Sequence, residues 1–277
     1  MCGNPAIVVF KVAQALSVNQ YMSIPKPKST ELNEELLAIQ HRGHFLDTSS
    51  LEYRQLDLKL RKQIKDEPFS GYGLYAAFCG LTGDVEGLRD YYKKAQALTA
   101  EPQLRVNNAI GLANLGFFSE AALHLPFMER PENGFLRDAI NVSLETGRIA
   151  RAARLIGKWN ELHQDEPKDL GCLTAAAVLL EKSGVSDDGL LPCLDIVGAI
   201  MREHRLIFIR EPLIALIQGE SSEQISFRFL VKIEPEDAAS LNYALVDRLF
   251  DSGVPLHDHV VHFGYLAVGD EVQRLAA

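Results

Sequence analysis

Three histidines fall within six residues near the C-terminus, at His257, His259 and His262, with Asp258 among them. Imidazole and carboxylate are zinc ligands, so this is the first cluster to weigh for chemistry. Side chains alternate along a strand, which sets His257 and His259 on one face and His262 on the other; the three cannot meet on one ion without a bend. His41 and His44 form a second pair, but Gly43 between them weakens a helix and no glutamate stands where a metalloprotease helix carries one. Gly71-Tyr72-Gly73 follows no strand and lacks the third glycine and the lysine of a phosphate loop. The cysteines at 2, 79, 172 and 193 show no metal-type spacing. Cys79, Cys172 and Cys193 sit in apolar helical stretches, where a thiol behaves as a small hydrophobe, a usage that fits a reducing compartment. No serine, cysteine or histidine has a recognisable nucleophile setting, so the sequence predicts no catalytic residue, no metal and no cofactor, and reads as a non-enzyme.

One charged pattern remains. Arg148, Arg151, Arg154 and Lys158 line one side of a single helix. Such a row is a solvated outer face, or a contact for an acidic partner or a nucleic-acid backbone. The formal charge of -9 disfavours a general nucleic-acid binder, because phosphate binding rests on an excess of Lys and Arg.

The elements that must position these residues are helical over most of the chain. Amphipathic, helix-sized segments are expected at 51–65, 71–81, 85–98, 103–115, 119–128, 135–145, 149–162, 170–182 and 190–204, with Ser49 and Glu52 as a capping box for the first. Gly83, Gly116, Gly147 and Gly184 each end one helix and precede the next, at spacings of 33, 31 and 37 residues, near the length of a two-helix repeat. The run from Gly83 through Asp84, Val85, Leu88, Tyr91 and Tyr92 to Ala95 resembles the second helix of a tetratricopeptide repeat, with Tyr72, Tyr75, Ala76 and Cys79 on the helix before it. Degenerate copies follow around Gly116, Gly147 and Gly184, so the resemblance covers about residues 70–204. The closing proline of each unit is displaced to Pro102, Pro131 and Pro167.

The resemblance implies a right-handed solenoid of helical hairpins and a groove lined by the first helix of each. On this chain the groove positions become Gly73, Ala77 and Gly80; Val106, Ile110 and Ala113; Arg137, Asn141 and Leu144; Thr174, Val178 and Glu181. Most are small or apolar. Ala77, Val106, Ile110, Asn141 and Val178 are the expected partner contacts, with Arg137 as a hydrogen-bonding cation at one end. An open apolar groove needs an occupant: a partner helix, an extended segment, or one of the chain's own ends. Trp159 falls where a small residue normally packs between helices and is expected to be buried.

After His204 the texture changes. Ile225, Phe227, Phe229, Val231 and Ile233 alternate as a half-buried strand, with Leu230 on the opposite face and 213–218 as its hairpin partner across the polar turn 219–222. Pro235 opens a helix whose stripe is Leu241, Leu245, Leu249 and Phe250, Gly253 stops it, and 259–268 reads as another strand. This ββαβ or βαβ unit is too small to bury both sheet faces alone and must pack on the solenoid or on a partner.

The expected organisation is an N-terminal extension with a first helix (1–48), a tetratricopeptide-like repeat domain (49–204) and an α+β module (205–277). The apolar stretch 6–18 has no basic residue before it and is interrupted by Lys11. A translation start at Met22 or a short docking helix therefore fits better than a secretion signal. No run is long enough to span a bilayer, and the expected location is cytoplasmic. The leading functional expectation is a protein-binding module: an adaptor, a chaperone, or a neutralising partner of the antitoxin or immunity kind. The alternatives are a regulator that contacts nucleic acid or an acidic partner through the 148–158 face, and an enzyme at the junction with the C-terminal module that would bring together residues such as His257 and Glu181.

Overall fold

A computed structural model describes residues 28–130, 134–208, 211–218, 222–257 and 259–268. The stretch 6–18, Met22, Pro131, Asp258 and most of the 219–222 turn lie outside these residues. The chain runs α1 (Lys28–Gln40), α2 (Leu51–Asp66), α3 (Pro68–Thr82), α4 (Val85–Leu98), α5 (Pro102–Asn114), α6 (Phe118–Ala122), α7 (Leu125–Met128), α8 (Leu136–Glu145), α9 (Ile149–Leu162), α10 (Leu173–Lys182) and α11 (Asp187–Glu203). Then come β1 (Leu213–Gln218), β2 (Glu223–Val231), α12 (Pro235–Asp251) and β3 (Val261–Ala267). The protein is thus mainly helical with a small C-terminal sheet.

The turn glycines act as their spacing implies. Gly83, Gly116, Gly147 and Gly184 all have φ between 64° and 81°, the left-handed conformation that ends a helix without a Cβ clash. Asp84 then caps α4 by accepting from Gly87 N–H at 2.9 Å. α3 is apolar almost all round because it is central: α1, α2, α4 and α5 all pack on it. It crosses α2 so closely that a Cβ on Gly71 would lie 2.5 Å from the Ile64 backbone.

Four sequence expectations are corrected. Ser50, not Ser49, caps α2, accepting from Tyr53 N–H at 3.1 Å; Ser49 bonds Asp47, and Glu52 turns to Arg42 at 2.6 Å. The helix expected over 119–128 is broken into α6 and α7, because Pro126 has no N–H and its ring crowds the carbonyl four residues back. Trp159 is half-buried: its indole stacks on His163 with centroids 3.8 Å apart and donates to the Glu166 carbonyl at 3.0 Å, at the end of α9. Phe250 does not pack with Leu241 and Leu245; it is 67% exposed.

A larger difference concerns α11. α3 pairs with α4, α5 with α6, and α8 with α9, and α10 then packs on α9. α11 does not complete a fourth hairpin: it packs on α6, α9, α12 and β3. It crosses the glycine turns of the preceding hairpins, where a Cβ on Gly198 would lie 1.9 Å from the Gly116 carbonyl oxygen and one on Gly147 would lie 2.5 Å from Leu194. Its acids satisfy the orphan N–H groups of other helices. Asp195 accepts from Ser119 N–H at 3.0 Å and from the Ser119 hydroxyl. Asp187 accepts from Ala150 and Arg151 N–H at 3.1 and 2.9 Å.

The C-terminal unit is the ββαβ form. β1 and β2 are antiparallel (Leu213 opposite Arg228, Gln218 opposite Glu223); β2 and β3 are parallel (Ile225 beside Val261, Val231 beside Ala267), giving the order β1-β2-β3. Ile225, Phe227, Phe229 and Val231 are fully enclosed, and Phe229 meets Phe118 and Phe208 at ring separations of 5.6 and 5.0 Å. The Tyr265 hydroxyl donates to the Val197 carbonyl of α11 at 2.8 Å. The outer edge of β3 is covered by the Asn242 amide of α12, which donates to Tyr265 O at 3.0 Å and accepts from Tyr265 N–H at 2.7 Å. The sheet packs on the helices as its size demanded. It has no core of its own: one apolar cluster joins α5–α12 to the sheet, and a second joins α1–α5.

Candidate functional site: a recess between the first helices

α3, α5 and α8, the first helices of three hairpins, lie side by side in that order. α1 packs on α3 through Leu32, Leu36 and Ile39, all buried, so the chain's own N-terminal helix occupies part of the expected groove. Ile207, from the segment after α11, is held there as well: its N–H donates to Gly43 O at 2.9 Å. Between these elements a cavity of about 490 Å³ remains. Leu36 and Leu37 of α1, Phe69, Leu74 and Ala77 of α3, and Leu104 and Ile110 of α5 supply its apolar wall. Gly73 contributes width, since a Cβ there would meet only Leu104, at 3.5 Å. Asn33, Gln40, Gln103, Asn107 and Asn114 bring amides to the wall, and Glu101 is its one charged residue among the described residues. Amides beside an apolar wall suit a ligand with a backbone to pair and side chains to bury.

Of the expected contacts, Ala77 and Ile110 line this cavity together. Val106 does not: it is fully enclosed in the core, on the side of α5 that faces the later hairpins. Ala113 and Leu144 are likewise buried. Asn141 is half-buried and Arg137 exposed on α8, while Val178 is 42% exposed on α10, which packs on α9. Arg137 stands near acids of its own chain, its charge drawing down the Asp138 and Glu211 carboxyls that burial pushes up. The resemblance placed no groove residue on α1; the helical spacing of Leu32, Leu36 and Ile39 was the signal for its buried face, beside which Asn33, Leu37 and Gln40 reach the recess.

The basic row is largely neutralised. Arg148 pairs with Asp188 at 2.6 Å, and Arg151 and Arg154 share Glu129, the second at 3.0 Å. Burial raises the Glu129 carboxyl, but hydrogen bonds from Arg151 and Arg154 outweigh it and hold the group below the ordinary range. Lys158 makes no ion pair among the described residues.

The junction of α8 with the segment before β1 carries a different pattern. Glu145, the last residue of α8, has its Oε2 enclosed and without a hydrogen-bond partner among the described residues. Burial, with repulsion from Glu211, pushes its carboxyl up to about 8. Burial also raises Glu211, against the pull of Lys168 and Arg137.

The histidines do not converge. β3 begins at Val261, so only His262 is on the strand; His257 accepts from Val260 and Val261 N–H through its carbonyl, and its ring lies beside Gly189. No hydrogen bond or ion pair among the described residues joins His257 to Glu181, which is exposed on α10. His44 bonds the Lys232 carbonyl at 2.8 Å, tying the N-terminal segment to β2's end. Among the described residues no group of three His, Cys, Asp or Glu is placed to hold a metal, and no helix is long and apolar enough to cross a membrane. Comparison with known protein families, with characterised proteins and with solved structures returns no match to this chain.

Proposed function

We propose that this chain is a binding protein of the tetratricopeptide-like kind, a right-handed stack of hairpins that holds an apolar segment of a partner protein or peptide in the recess between α1, α3 and α5. The observation that carries the reading is the cavity of about 490 Å³, with an apolar wall, several amides and, among the described residues, a single charge. Its volume lies in the range of roughly 300–1,000 Å³ in which proteins hold small ligands or anchoring side chains. Such a site supports an adaptor, chaperone or antitoxin-type role, which we place in the cytoplasm and without chemistry by the chain itself. The pairing of Arg148, Arg151 and Arg154 with Asp188 and Glu129 weighs against contact with nucleic acid through that face.

The test compares three variants of the full chain purified with their bound proteins from the native host and identified by mass spectrometry. Gly73→Leu should fill the recess and displace the partner; Ile110→Asp should do the same by placing an unpaired charge against it. Arg151→Glu with Arg154→Glu should retain the partner. Retention by both recess variants with loss in the arginine variant would refute this choice of surface and favour the regulatory reading.

A further inference from the structure

α12 has two apolar faces. One buries Ala238, Leu241 and Leu245. The other leaves Tyr243, Val246 and Phe250 at 76%, 50% and 67% exposure, in line with exposed Ala239. Residues 239, 243, 246 and 250 follow the four-and-three spacing of one helix side, a continuous stripe about 16 Å long at 1.5 Å per residue. Three of the eleven large hydrophobics exposed among the described residues therefore sit on one side of one helix, beyond the scattered surface residues that need no explanation.

Helical geometry also fixes what borders the stripe. At 100° per residue, Glu236, Asp247 and Asp251 all project along the same long edge, and the opposite edge is the seam with the sheet, marked by Asn242 and Leu249. None of the three acids makes an ion pair among the described residues, and the basic residue of the helix, Arg248, is paired with Glu203 at 2.6 Å on another side. An apolar ridge with one unpaired acidic border matches an amphipathic helix whose apolar side is flanked by Lys or Arg. An antiparallel two-fold pairing with a second copy fits poorly, since it would set the acidic borders against each other. An anionic lipid surface would be repelled by the same border.

We infer that the Tyr243–Val246–Phe250 face of α12 is a second docking surface, independent of the recess, that takes a basic amphipathic helix of a partner protein. The probe is a labelled synthetic peptide of four helical turns with Leu at the same four-and-three spacing and Lys elsewhere. A matched peptide carries Glu in place of Lys. Binding is read by fluorescence anisotropy on the full chain. The Lys peptide should bind, and the Glu peptide at least about tenfold more weakly. Asp247→Lys with Asp251→Lys should reverse that order. Val246→Glu should abolish Lys-peptide binding even though it adds negative charge, which separates docking on the stripe from attraction to the net charge. Four results would overturn the inference: no binding by the native chain; an order that the double substitution leaves intact; a native dimer in sedimentation that Val246→Glu dissociates; or a large loss of thermal stability in Val246→Glu, which would mean the chain itself covers the face. Recess variants such as Gly73→Leu should bind the Lys peptide normally.

Discussion

Glu145 offers a test of the junction between the hairpins and the C-terminal sheet. Its carboxyl is ordinary in the unfolded chain, near 4.5, and is pushed up to about 8 in the folded one by burial and by Glu211. Below 4.5 the group is protonated in both states and costs nothing. As pH rises from there the unfolded chain releases a proton that the folded chain keeps, and stability falls by about 1.4 kcal/mol per pH unit. The loss reaches about 3 kcal/mol at pH 7 and saturates near 5 kcal/mol above pH 8. Glu145→Gln removes the titration while preserving shape, and the enclosed Oε2, which has no partner among the described residues, becomes a neutral amide oxygen. The variant should match the native chain near pH 4.5 and exceed it by about 3 kcal/mol at neutral pH, measured by urea unfolding across pH with circular dichroism. A difference between the two chains that stays constant from acid to about pH 9 would refute the burial argument.

Other perturbations probe the α11 strap and α9. Gly198→Ala should cost about 3 kcal/mol or more in urea unfolding, because its Cβ would lie 1.9 Å from the backbone oxygen of Gly116 and neither backbone can yield cheaply. Asp195→Ala should cost about 1–2 kcal/mol by leaving Ser119 N–H without its carboxylate, and Asp195→Asn should restore part of that. Trp159→Ala should cost about 1–2 kcal/mol, below the range for a buried aromatic, since the indole is half-buried against His163; acrylamide should quench its fluorescence in the native protein.

Local rules made most elements legible. α4 and α9 begin and end where glycine turns and helical spacing place them, and β1, α12 and Gly253 were readable for the same reason: their signals lie within a few residues of the element. The course of α11 was not. Asp187 and Asp195 look like ordinary acids of their own helix, yet they cap backbones 37 and 76 residues away, a relation that no window along the chain contains. Val106 failed for a related reason: a periodic pattern says which residues share a face but not whether a further layer will cover it. Phe250 sits beside Leu249 in sequence but 100° away around the helix, enough to carry it from the seam to the surface. Of the expected site, Ala77 and Ile110 came from the positions that the tetratricopeptide resemblance implies, whereas the α1 wall needed tertiary packing to appear.

Those distant caps also impose an order on synthesis. At roughly 5–20 residues per second, the N–H groups of Ala150 and Arg151 wait about 2–7 s after leaving the peptidyl-transferase centre before Asp187 is made, and Ser119 waits about 4–15 s for Asp195. Phe118 waits longer still, until Phe208 and Phe229 have been added to close over it. The early hairpins can coil as they emerge, but the growing chain carries open helix ends until α11 is made and a bare aromatic face until residues 208–229 follow. A product truncated near residue 204 would keep Asp187 and Asp195 but leave Phe118 without Phe208 and Phe229, which makes premature termination a route to aggregation rather than to a smaller working protein.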